Sequence, residues 1–90
     1  MESIFCVDIP VQMISCTDTD GRITPMRFRF RDNTGELVTI SIDRILSTDQ
    51  DRNRTGINFS CAATFCGTQK KIRLRYSYTA HEWRMSRLYA

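Results

Sequence analysis

The residues best suited to chemistry are cations on two short stretches. In residues 26–31 (MRFRFR), Arg27, Arg29 and Arg31 alternate with Met26, Phe28 and Phe30. In residues 71–75 (KIRLR), Lys71, Arg73 and Arg75 alternate with Ile72 and Leu74. Successive side chains of a β-strand point to opposite faces, so each stretch presents one apolar side and one cationic side. A planar guanidinium grips phosphate or carboxylate oxygens, and a row of them can track a polyanion. If the two strands share an outer surface, these six cations form one patch, which Lys70, Arg84 and Arg87 would widen. An exposed strand face has to be polar in any case, and arginine stems cover sheet surface well. No aromatic residue falls in the basic register, so the stacking platform of single-strand nucleic-acid binders is missing.

Other chemistry is less well supported. Residues 18–24 (DTDGRIT) look like part of a calcium loop, but aligning Gly21 with the glycine of such a loop puts Cys16 at its first ligand and Arg27 at its last. Calcium needs oxygen ligands at both, so the segment reads as a turn. Cys6, Cys16, Cys61 and Cys66 contain no closely spaced pair of the kind that structural zinc uses. Cys61 and Cys66 also have opposite strand parity, so the cysteines read as buried or incidental thiols. His81 is the single histidine, beside Glu82 in an expected turn, and nothing in the residue order brings a cysteine to it. No G-x-S-x-G segment is present. The expectation is a non-enzymatic protein with no catalytic residues, no metal and no cofactor.

The elements that carry these residues are strands. The alternation of residues 26–31 resumes after Asp32-Asn33-Thr34-Gly35, with Val38, Ile40 and Ile42 against Thr39, Ser41 and Asp43, which predicts a hairpin. Residues 4–13 (IFCVDIPVQM) place Phe5, Val7, Ile9, Val11 and Met13 on one side. Pro10 cannot donate to a ladder, so this is an edge strand or one that bends there. Asp18-Thr19-Asp20-Gly21 is a turn, and Pro25 opens the next strand. Residues 47–56 (STDQDRNRTG) lack apolar periodicity and read as an exposed loop, with room for one helical turn over 43–47. A further meander follows, with Ile57, Phe59, Cys61, Ala63 and Phe65 inward, then a turn over 67–69. Ile72, Leu74, Tyr76 and Tyr78 are inward on the next strand; Ala80-His81 turns the chain into a last strand with Trp83 and Met85 inward and Arg84 outward.

Short antiparallel strands with a single oily face imply an all-β, single-domain barrel over residues 1–90. It should have five or six strands, be partly open, and be SH3-like first and OB-like second. The aromatic residues of the inward register form its core, and Phe28→Ala or Trp83→Ala should cost about 3–5 kcal/mol. A bulge near Pro10 or within residues 60–65 would shift the inward and outward sets by one.

Ninety residues suit one domain, and a net charge of +3 is too modest to imply a nucleic-acid partner by itself. The charge is uneven: residues 1–25 carry one Arg against four acids, and residues 26–90 carry twelve Lys and Arg against six. The N-terminus lacks a basic, then apolar, leader, and no apolar run approaches the length of a membrane helix. A soluble, cytoplasmic protein that does not engage membranes is expected, with its cysteines reduced.

Taken together, DTDGRITPMRFRF (residues 18–30), KIRLRYSY (71–78) and EWRMSRL (82–88) resemble a group of small SH3-like β-barrel proteins of Firmicutes, especially Clostridia, without an assigned activity. The likeness covers most of the chain and implies a barrel fold but transfers no functional residue. A more distant likeness is to small bacterial proteins encoded beside translesion DNA polymerases, which share an F-x-W or F-x-F strand and a terminal W-x-L strand; Phe28-Arg29-Phe30 carries it here, with Phe30 where those proteins often have Trp. The resulting expectation is a binding module that engages nucleic acid or another polyanion through Arg27, Arg29, Arg31, Lys71, Arg73 and Arg75. The alternative is a protein–protein adaptor, or a homodimer, pairing through the strand at residues 5–13 or docking through the loop at 47–56.

Overall fold

Six antiparallel strands close into a barrel in simple chain order: β1 (Ile4–Thr17), β2 (Ile23–Arg31), β3 (Leu37–Gln50), β4 (Gly56–Phe65), β5 (Thr68–Ser77) and β6 (Glu82–Tyr89). The computed structural model describes residues 4–89, with side chains from residue 8 onward. The inward placement expected of Phe5 and Val7, and the Cys6 thiol, lie outside the described side chains. Every strand pairs with its sequence neighbours, and β1 pairs with β6 to close the ring. The order has no Greek-key crossover of the kind an OB barrel contains. Among the described residues, no helix is long and apolar enough to cross a membrane.

The turns follow from side-chain chemistry. Asp18 and Asp32 open the first two connections in the same way: the backbone N–H of Gly21 donates to the Asp18 carbonyl and that of Gly35 to the Asp32 carbonyl, each at 3.0 Å. The Asp18 carboxylate accepts from the N–H of Asp20 and Arg22, and the Asp32 carboxylate from the N–H of Thr34 and Glu36. One oxygen of each carboxylate, Oδ1, thus holds its own turn, and Gly21 and Gly35 take the positive φ, +82° and +85°, that closes it. This confirms the turn at Asp18.

The core takes residues from five strands: Phe28 of β2, Ile40 of β3, Phe59, Cys61 and Ala63 of β4, Ile72 and Leu74 of β5, and Trp83 and Met85 of β6. Strand β1 adds Ile9, Val11 and Met13, which are half-buried. Trp83 sits against Phe59 and Tyr76, with ring centroids 5.5 and 5.1 Å away.

Five register shifts separate the structure from strict alternation. In β2, Met26 is the extra residue between the Ser15–Pro25 and Ile14–Arg27 pairs. Pro25 is consequently buried and Met26, expected inward, is 51% exposed. Bulges at Asp43 and Leu46 let β3 bend and continue, so residues 47–50 are strand rather than loop, and only residues 51–55 connect to β4. No helical turn forms over 43–47. The bulges lie in β3, opposite a β4 of regular register, and not within residues 60–65; a further shift falls between Cys6 and Ile9, close to Pro10. The β4–β5 turn is Cys66-Gly67, with Thr68 and Gln69 already in β5. Tyr78 follows the end of β5, stacks edge-on against Tyr76 and is 38% exposed, not inward.

Strand β1 is not an edge. Its first part, Ile4 to Val11, pairs with β6, and its second, Gln12 to Thr17, pairs with β2. Pro10 lies just before the exchange, where a missing N–H leaves no gap in the β2 ladder.

Candidate polyanion-binding face

Strand order decides what the cations can do together. Strands β2 and β5 stand three apart in a ring of six, so the two basic rows lie on opposite sides of the barrel. Arg27, Arg29 and Arg31 form one row, and Lys71, Arg73 and Arg75 form another; no single six-cation patch exists.

The rows also differ electrostatically. The two β5 arginines are ion-paired: Arg73 pairs with Asp49 at 3.2 Å and also donates to Ser60 Oγ. Arg75 donates to the Asp51 carboxylate and lies over Gly56, where an added Cβ would meet its guanidinium at 2.7 Å. Hydrogen bonds from Arg75 and then Asn58 hold the Asp51 carboxyl below its ordinary value. On β6, Arg84 pairs with Asp8 at 2.9 Å and Glu82 at 3.2 Å, and those partners, Asp8 first, raise its own pKa. Lys71 lies over the Tyr89 ring and Lys70 over that of Phe65.

The β2 row has neutral partners. Arg29 donates to the Gln12 side-chain oxygen, and Arg31 to the Gly35 carbonyl at 2.8 Å. Among the described residues, none of Arg27, Arg29 and Arg31 has a carboxylate within ion-pair distance, and all three are exposed. Asp32 and Glu36 stand at the Arg31 end; Asp32 Oδ1 accepts from the N–H groups of its turn, and neither carboxylate forms an ion pair with Arg31. Cross-strand neighbours on β1 are Gln12 and Ile14, and on β3 Leu37, Thr39 and Ser41. Two shallow grooves of about 480 and 510 Å³ run along the seam between β1 and β2, and Arg29 borders both.

Sequence reasoning missed the apolar flanks of this row. Ile14, Met26 and Leu37 are 56%, 51% and 53% exposed. Ile14 and Leu37 stand in the wet parity of their strands, a signal available from alternation alone; Met26 is outside only because of its bulge.

The remaining candidates do not assemble. Cys66 lies in the β4–β5 turn and His81 in the β5–β6 turn, at opposite ends of a ten-residue strand, about 30 Å apart. Cys16 and Cys66 are exposed, while burial of Cys61 pushes its thiol up to about 11. The His81 ring lies 3.4 Å from the Tyr76 hydroxyl. Comparison with models of protein families, with curated proteins and with solved structures gave no match.

Proposed function

We propose that this protein is a non-enzymatic module that binds a polyanionic partner through Arg27, Arg29 and Arg31. The observation that carries the reading is the contrast between the rows: Arg73, Arg75 and Arg84 face carboxylates, and the three β2 arginines do not. Surface arginines with unspent charge attract anions and steer their approach, whereas ion-paired ones do so far less. Lys71, Arg73 and Arg75, part of the site expected from sequence, are left out of this smaller face. The edge-pairing alternative loses its basis, because β1 has partners on β2 and β6. The resemblance to small SH3-like barrel proteins offers no activity to transfer, and a cytoplasmic setting fits a protein whose thiols Cys16 and Cys66 are exposed.

Fluorescence anisotropy of a labelled single-stranded oligonucleotide tests the reading at about 50 and about 200 mM salt. Three displaced counterions predict a loss of affinity of about twentyfold between those conditions. The triple variant Arg27→Glu, Arg29→Glu, Arg31→Glu should not bind at either salt, and Lys71→Glu, on the opposite side, should bind as the wild type does. Equal losses from the two variants, or undiminished binding by the triple variant, would refute the face.

A further inference from the structure

The arginine row is bracketed by aliphatic surface, and this narrows what its ligand can be. At the Arg27 end, Ile14 is the cross-strand partner of Arg27 and Met26 precedes it in the bulge; the three border one depression of about 440 Å³. At the Arg31 end, Leu37 is the cross-strand partner of Arg31. There the β1–β2 ladder has already stopped at the Gln12–Arg29 pair, and β1 leaves towards β6. The wedge that opens between the strands, about 510 Å³, is lined by Ile9, Val11, Phe30 and Leu37 beneath Arg29 and Arg31. The aliphatic footholds thus lie beside the two outer cations, Arg27 and Arg31, which are about 13 Å apart along β2.

We propose that this face receives an extended acidic segment of another protein, with carboxylates at alternate positions and aliphatic side chains on either flank. The proposal rests on the polyanion reading above and gives it a partner. Alternate side chains of an extended chain repeat about every 6.6–6.8 Å, the same interval that separates Arg27, Arg29 and Arg31. A ligand with a single anionic head would use one cation and leave the rest idle. A nucleic acid could use all three but would leave Ile14, Met26 and Leu37 against water, and this face has no exposed aromatic ring for a base to stack on. An acidic peptide with aliphatic ends engages both the charges and the footholds, combining charge complementarity with apolar burial.

The test uses capped peptides of equal charge, Leu-Ser-Asp-Ser-Asp-Ser-Asp-Ser-Leu and Ser-Ser-Asp-Ser-Asp-Ser-Asp-Ser-Ser, in which the end residues share the extended face of the aspartates, and an oligonucleotide carrying the same charge. Each is titrated into the isotopically labelled protein, and dissociation constants into the millimolar range are read from amide shifts of residues 26–31. The leucine-flanked peptide should bind at least about tenfold tighter than the serine-flanked one. The double variant Ile14→Ser, Leu37→Ser, altered only at exposed positions, should cut that advantage to less than about threefold. Equal affinities for the two peptides would overturn the peptide assignment while leaving the ionic face intact. Tighter binding of the oligonucleotide would assign the face to nucleic acid instead. An advantage that persists in the double variant would place the apolar contacts elsewhere and also overturn it. Absence of binding by all three ligands would remove the polyanion reading along with this one.

Discussion

Asp51 shows how a single carboxylate sets the character of one side of the barrel. It sits in the β3–β4 connection, accepts hydrogen bonds from Arg75 and Asn58, and thereby ties that connection to β4 and β5. Its carboxyl titrates below its ordinary 3.8, chiefly through the hydrogen bond from Arg75. A depressed folded-state value means that the stabilisation is complete above the unfolded-state value near 3.8 and is lost as pH falls through the lowered one. Asp51→Asn should therefore lower the urea midpoint at neutral pH, and the gap from wild type should close as pH falls from about 4 towards about 2. A gap independent of pH would mean that shape, and not charge, is what Asp51 supplies. None of this was readable from sequence, where residues 47–56 offered polarity without periodicity. The partner of Asp51 lies on a strand more than twenty residues later.

Individual strands were legible where side chains alternate without interruption and illegible where a bulge intervenes. The β4–β5 hairpin keeps one register from Gly56–Ser77 to Phe65–Thr68, and its inward set is the expected one apart from Tyr78, which lies beyond the strand. In β3, the bulge at Asp43 spaces the inward residues Ile42 and Ile45 by three, and a second at Leu46 follows directly, a pattern that reads as no strand at all. Bulges depend on which partner lies opposite, information a local window does not hold. Turn chemistry was clearest at the Asp-x-x-Gly connections. Cys66 was harder to place, because a two-residue turn with φ of +51° and +78° normally begins with Asn, Asp or Gly. Cys66→Asn should relieve that backbone cost, stabilising the protein by about 1 kcal/mol and raising Tm by about 5 °C in a thermal melt. An unchanged or lower Tm would show that the cysteine side chain makes up for its conformation.

For the molecule as a whole, composition and alternation predicted an all-β barrel, while the ring order that separates β2 from β5 lay beyond them. That order turned an expected six-cation patch into two rows of different character, one whose arginines are ion-paired and one whose arginines are not. The same ring has a consequence for how the chain assembles. Five of its ladders join neighbouring strands across short turns, but the sixth, from Ile4–Tyr89 to Val11–Trp83, joins the two ends of the chain. Loop-closure entropy makes such a contact the slowest to be rewarded, so ring closure should follow the rate-limiting step. Ile9→Ala, in the closing ladder, should then speed unfolding in stopped-flow measurements and barely alter refolding, whereas Ile40→Ala, in the β2–β3 hairpin, should slow refolding. Slower refolding of the Ile9 variant would mean that closure belongs to the nucleus. With closure late, the barrel opens first between β1 and β6, so Ile9 and Val11, which line the wedge beneath Arg29 and Arg31, should be released while the β1–β2 hairpin still holds Ile14 beside Arg27.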